Sequence, residues 1–188
     1  NTAVGSGSGD AITTGNQNTA IGLGSLGATD DGDFNVAVGV NAVAANCADA
    51  NTGVGIHALN VFTGSAATAV GAYAADAATS ATNLTAVGHN ALGACTEGLN
   101  NTAVGANALL AMVDGDYNTG LGSGVGYITT GTGNTFLGYY AGVSATSTDD
   151  CIAIGRNALA GASAGTPVTG NYNIAVGNYA LDATTTGN

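Results

Sequence analysis

The sequence has no tryptophan, one proline (Pro167), one residue that is either lysine or arginine (Arg156) and one glutamate (Glu97), and only 7% of its 188 residues are charged. Each scarcity excludes something. Twelve acids against a single cation give a formal net charge of −11, which leaves nothing to neutralise phosphates along a nucleic acid and repels an anionic membrane surface. No run approaches the roughly 18 apolar residues needed to span a bilayer, so a water-soluble chain without membrane insertion is expected. Three phenylalanines and seven tyrosines beside thirty-two glycines supply too little side-chain mass to fill a wide interior, so the core must be narrow. The chain opens without an initiator Met or a charged-then-apolar leader, and any secretion signal is expected to have been removed or to lie outside this stretch.

What the sequence does have is a period. Asn1-Thr2-Ala3-Val4-Gly5 returns as Asn18-Thr19-Ala20-Ile21-Gly22, as Asn35-Val36-Ala37-Val38-Gly39 and as Asn51-Thr52-Gly53-Val54-Gly55. Eleven copies centre on Gly5, Gly22, Gly39, Gly55, Gly71, Gly88, Gly105, Gly122, Gly138, Gly155 and Gly177, spaced 16 or 17 residues apart except for a last interval of 22. A fixed period of this length is the signature of a solenoid. Sixteen or seventeen residues at about 3.3 Å each suffice for one circuit of short strands and turns, and stacking at about 4.8 Å per coil gives a rod on the order of 50 Å long. The expectation is one domain over residues 1–188, an all-β parallel β-solenoid of eleven coils, forming an interior piece of a longer array.

The columns of the repeat carry its physics. The residue before the glycine is always Val, Ile or Leu, and two residues earlier stands Thr, Val or Ile. In a strand these share one face, and the intervening Ala or Gly lies on the other. The branched face is expected to point into the core, with Val104 among its buried residues. The repeated glycine implies a positive φ or a close backbone approach at a corner. A second inward edge is expected from the pairs Ala58-Leu59, Ala91-Leu92, Ala108-Leu109, Ala158-Leu159 and Ala180-Leu181. The remaining residues have the chemistry of turns.

Candidate functional residues read mostly as structure. The Asn column (Asn1, Asn18, Asn35, Asn51, Asn101, Asn118, Asn134, Asn173), interrupted by Ala67, Leu84 and Cys151, is expected to form a hydrogen-bonded ladder along the axis. A flat Thr column (Thr2, Thr19, Thr52, Thr68, Thr85, Thr102, Thr119, Thr135) could serve ice binding, but Val36, Ile152 and Ile174 share it, which favours burial in the coil or at a subunit contact. Asp30, Asp31, Asp33, Asp49, Asp114, Asp116, Asp149 and Asp150 gather in closing loops, yet their spacing matches no calcium-loop pattern, so solvated turns are expected and no metal. Cys47, Cys95 and Cys151 fall three or four coils apart, roughly 14 to 19 Å, too far for bridges, and should be small buried hydrophobes. His57 and His89 lie in different columns, and no triad, phosphate loop or pair of opposed carboxylates is present. No catalysis and no cofactor are expected. The tenth unit is long because Gly161 to Gly170 extend its closing loop, and within it Gly165, Thr166, Pro167 and Val168 are the candidate lateral contact.

The unit Asn101-Thr102-Ala103-Val104-Gly105-Ala106-Asn107-Ala108-Leu109 and the linker Thr184-Thr185-Thr186-Gly187-Asn188 resemble the N-T-A-V-G-x-x-A-L repeats of phage tail fibres and related bacterial surface proteins. The columns also resemble the head repeats of YadA-like trimeric autotransporter adhesins, and the resemblance covers the whole chain. It implies a left-handed β-roll assembled as a parallel homotrimer, extracellular on a bacterial surface or virion, used as a shaft or a receptor-contacting head. The partners it implies are copies of the chain itself and a host or cell-surface receptor or glycan. A slim solenoid that is 45% hydrophobic would expose more apolar surface than a monomer tolerates, an independent argument for lateral association. The alternative from another class is an ice-binding solenoid.

Overall fold

The computed structural model describes residues 1–161 and 167–183. It contains eleven three-residue strands, one per repeat unit, from Thr2–Val4 to Ile174–Val176, and no helix among the described residues. The strands pair in chain order, each parallel to the next, in one eleven-stranded sheet. Register is unstaggered: Thr102 lies opposite Thr119, Ala103 opposite Gly120 and Val104 opposite Leu121. The protein is thus the all-β parallel solenoid that the period implies.

Each strand ends at its repeat glycine, and both reasons for glycine hold there at once. The eleven corner glycines have φ between 123° and 137°, a region that side chains rarely enter. A Cβ on any of the first ten would also lie closer than 3.0 Å to the backbone of the next corner; on Gly88 it would sit 2.5 Å from the Gly105 carbonyl oxygen. Gly177, in the last coil, has no such neighbour.

Hydrogen bonding between coils continues past the corner. The Asn107 N–H donates back to the His89 carbonyl (2.9 Å), whereas two residues later the Leu109 N–H donates forward to Val125 (2.9 Å). Both donors are left-handed, with φ of 57° and 50°, and the same conformation recurs at Tyr73, Leu59 and Leu92. Side chains are strained there, and coil-to-coil hydrogen bonds offset the strain.

The strand faces are the reverse of the sequence expectation. Ala20, Ala37, Ala69, Ala86, Ala103, Ala153 and Ala175, the middle residues of their strands, are the buried ones. The branched column faces outward instead: Val4, Ile21, Val70, Leu121, Leu137 and Val176 are exposed, and Val38, Val54, Val87, Val104 and Ile154 are half-buried. The reason is the thickness of the coil. The opposite wall contributes the Ala-Leu pairs, all buried at Ala58-Leu59, Ala91-Leu92, Ala108-Leu109 and Ala158-Leu159, and a third wall adds Phe62, Ala78, Cys95, Met112 and Ala145. A methyl is the most that fits beneath the sheet. Even that is too much at Gly53, where a Cβ would stand 2.5 Å from Val43 Cγ2, and at Gly120, where it would stand 2.8 Å from Val125 Cγ2.

Phe136 is the exception in the alanine column, and its space comes from its neighbours. A Cβ at Gly142 would meet the Phe136 ring at 2.6 Å, and one at Gly126 would meet it at 2.7 Å. These two glycines stand where most other coils have leucine.

The Asn ladder exists, but its rungs reach mainly backbone. Asn101, Asn118 and Asn134 each use Oδ1 to accept the N–H of the residue stacked in the next coil (2.8, 3.0 and 3.0 Å). Their Nδ2 groups donate to the closing-loop carbonyls of Gly115, Gly131 and Thr148 (2.6, 2.8 and 2.6 Å). Each amide therefore ties the end of its own coil to the start of the next. Asn18, Asn35, Asn51, Asn101, Asn118 and Asn134 are buried, where an unmade bond is costly; Asn35 bears that cost, its Nδ2 having no partner among the described residues. Cys151 imitates the pattern, donating to the Gly170 carbonyl (3.3 Å) and accepting from the Asn173 N–H (3.4 Å).

The corner geometry predicts that Gly88→Ala costs roughly 2 to 6 kcal/mol, the sum of a strained φ and an overpacked contact. Gly177→Ala, which meets only the strain, should cost about 1 to 3 kcal/mol. Urea denaturation of the two variants checks the difference, and equal losses would mean that coil stacking does not constrain the corner.

Candidate functional site

Three surface features could carry function: the outer strand face, the acidic closing loops, and the region around the long tenth unit. The outer face is a ladder of Thr and branched apolar residues. In every strand the first and third residues point away from the core, and neither column contains a charged residue in any of the eleven strands. Flanking them are exposed Phe34, Tyr117 and Tyr172 on one side and exposed Leu23, Val40, Ile56 and Tyr139 on the other. The Thr column is therefore at the surface and not inside the coil.

The acidic loops are engaged in structure. Asp33 Oδ1 accepts the Asn16 N–H (2.6 Å), Asp49 Oδ1 that of Asp33 (2.8 Å), Asp116 Oδ1 that of Leu99 (2.7 Å) and Asp149 Oδ1 that of Thr132 (2.9 Å). Asn171 continues the row by accepting from Asp149 N–H (2.9 Å). This second ladder runs opposite to the Asn ladder, each side chain accepting from the coil before it. Asp30 also accepts from the Thr13 hydroxyl. Among the described residues no group of three or more His, Cys, Asp or Glu is placed to hold a metal. His57 stacks on Tyr73 (centroids 5.5 Å apart), and His89 meets the same ring edge-on at 6.3 Å.

Of the proposed contact loop, Gly165 and Thr166 lie outside the described residues, and Pro167 is exposed. Val168 is fully buried. It bridges to Ala145, its N–H donating to Ser144 (2.8 Å) and its carbonyl accepting from Thr146 (3.1 Å). Val168 is thus a core residue of the third wall and cannot be a contact residue of this loop. The described residues on either side of the extra length, Leu159 and Val168, are both buried, and the turn that closes the coil lies beyond Val168. That turn has resumed by Gly170, whose carbonyl accepts from Cys151 Sγ (3.3 Å) as Gly115 accepts from Asn101 Nδ2.

Beside this insertion lies a groove of about 440 Å³, lined by Tyr140, Val143, Asn157, Ala160, Gly161, Tyr179 and Asp182. Tyr140, Asn157 and Tyr179 occupy the same place in successive coils, two residues past the corner, and all three are left-handed (φ 55°, 54° and 59°). Tyr140 packs edge-on to Tyr139, with centroids 4.3 Å apart, and its ring covers Gly124, where a Cβ would meet it at 2.6 Å. The Arg156 guanidinium lies 5.0 Å from the Tyr179 ring centroid, a cation–π contact. Sequence reasoning missed this groove, although column alignment on Gly138 and Gly177 places both tyrosines in one row.

Comparison with protein-family models, with curated proteins and with solved structures returned no match, so the reading of these surfaces rests on their own geometry.

The cysteines are free and buried. Burial pushes the Cys95 thiol up to about 11, against a weak bond to the Gly98 carbonyl, and raises Cys47 as well. Thiols held protonated and out of solvent are poor nucleophiles. Labelling by a thiol reagent at pH 8 should be at least about a hundredfold slower in the native chain than in denaturant. Because the folded state holds the Cys95 proton more tightly, its contribution to stability is complete below about pH 8.5, the ordinary thiol value, and is lost as pH rises towards 11. Denaturation midpoints at pH 7 and pH 10.5 should therefore diverge less in Cys95→Ala than in the parent; an equal divergence would remove Cys95 as a cause.

Proposed function

We propose that this chain is a segment of an extracellular fibre, from a phage tail fibre or a bacterial surface adhesin, and that it spaces or presents receptor-binding parts. It would do so as a parallel homotrimer of left-handed β-rolls. The observation that carries the reading is the uncharged outer sheet face. With its flanking columns, into which charge enters at Asp150 and Arg156, the face is six residues across at about 3.3 Å and ten intervals along at about 4.8 Å, an area of roughly 1,000 Å². A stable interface needs about 800 Å² per partner. A chain of net charge −11 that keeps every charge off these two columns has reserved them for a partner without charge there, and an identical face meets that condition. Identical columns also favour closed cyclic symmetry, in which equal levels meet. The stacked ladders of backbone, Asn and Asp bonds suit a stiff spacer.

One observation favours a second reading. The Thr column is outward, as an ice-binding plane requires. The same column holds Val36, Ile152 and Ile174, and exposed Phe34, Tyr117 and Tyr172 stand at its border, so the plane is less uniform than a threonine array.

Sedimentation equilibrium separates the two readings. The fibre reading expects the mass of three chains, reduced to one chain by the double substitution Val70→Lys and Val104→Lys with β-sheet circular dichroism unchanged. A monomer with thermal hysteresis that the same substitutions abolish would establish the ice-binding reading instead.

A further inference from the structure

We infer that the groove between Tyr140 and Tyr179 is a binding site for a neutral oligosaccharide, two to three sugar units long and lying along the solenoid axis. The inference stands on the groove alone and holds whether or not the chain belongs to a fibre. At the other place in this column that carries rings, His57 and Tyr73 are direct neighbours and stack at 5.5 Å, which closes the space between them. Here two tyrosines flank an asparagine, and the smaller side chain leaves a gap between the rings with an amide at its base. The adjacent column offers Val143, Ala160 and Asp182, an apolar wall that ends in a carboxylate.

This combination matches the chemistry of a pyranose. The C–H face of a sugar packs on an aromatic ring, and its equatorial hydroxyls bond to amides and carboxylates in the ring plane. The volume, about 440 Å³, falls within the range of small-molecule sites. Two coil intervals separate the tyrosines, about 10 Å, close to the length of a disaccharide.

The aromatic wall is also held in place before any ligand arrives. Tyr140 is braced by Tyr139 and by the bare backbone of Gly124, and Tyr179 lies against Arg156. The backbone N–H groups of Tyr140, Asn157 and Tyr179 are tied to Ser123, Tyr139 and Arg156 in the preceding coil (3.1, 3.0 and 2.9 Å). Little ordering cost remains for binding.

Charge selects among glycans. The net charge is −11, and the only Lys or Arg side chain is already placed over Tyr179, with Asp182 in the groove wall. Asp182 and the surplus of acids repel sialylated or sulfated sugars, and against them the chain sets one guanidinium, that of Arg156 on the Tyr179 ring, so the occupant is a neutral hexose oligosaccharide.

The test probes the chain with immobilised gluco-, galacto- and manno-configured di- to tetrasaccharides beside sialylated and sulfated counterparts, followed by titration with the strongest neutral binder. Binding to a neutral series is expected, weakened at least tenfold by Tyr140→Ala and by Tyr179→Ala, and retained by Tyr179→Phe and by Tyr73→Ala in the same column three coils or more away. Should an alanine variant unfold, Asn157→Leu fills the gap with both rings intact and must also abolish binding. Absence of neutral binding, preference for the anionic series, or binding indifferent to Tyr179→Ala and Asn157→Leu would each overturn the assignment.

Discussion

Each coil sits directly on the one before it at hydrogen-bonding distance, with no stagger, and this in-register stacking constrains every other feature. Where backbone meets backbone at the corner, the carbonyl of the next coil occupies the place a Cβ would need, as Gly105 does above Gly88. What fits at a position is set by the residues stacked around it, so a larger side chain such as Phe136 needs smaller neighbours at Gly126 and Gly142. Column composition is therefore a record of local clearance: none at the corner, a methyl under the sheet, a leucine on the facing wall.

The same stacking explains why so much polar chemistry is consumed in structure. Backbone groups at the coil junctions need partners along the axis, and two side-chain ladders of opposite direction supply them, Asn118 accepting from the following coil and Asp116 from the preceding one. An acidic loop in this architecture is a row of acceptors for backbone N–H groups. The surfaces that point outward and take no part in these ladders are the uncharged strand face and the aromatic groove beside the tenth unit, and the proposed contacts fall there.

The period, the corner glycines, the Ala-Leu wall and the burial of all three cysteines were legible in the sequence because each is a column property. Which face of the strand is inside was not. A three-residue strand such as Thr102-Ala103-Val104 announces two faces of different size, and size alone points the branched side inward. The deciding fact is the reach of Leu109 and its equivalents from the opposite wall, which exists only once the coil is closed. Left-handed leucine and tyrosine, as at Leu92 and Tyr73, were equally invisible, since neither residue type signals that conformation. Val168 reads as an exposed loop residue in the sequence, and only the closed coil shows it stacked on Ala145.

If the interior volume of a coil is fixed and shared between facing walls, Phe136 and Gly142 are two halves of one packing solution. A double-mutant cycle in chemical denaturation tests this. Phe136→Ala alone opens a cavity and should cost about 3 to 5 kcal/mol; Gly142→Leu alone drives a side chain into the Phe136 ring, whose carbon lies 2.6 Å from the nearest Cβ position. Together they restore the Ala-and-Leu pattern of the other coils, and the pair should recover most of the combined loss, with a coupling of about 2 kcal/mol or more. Simple additivity of the two losses would contradict the account.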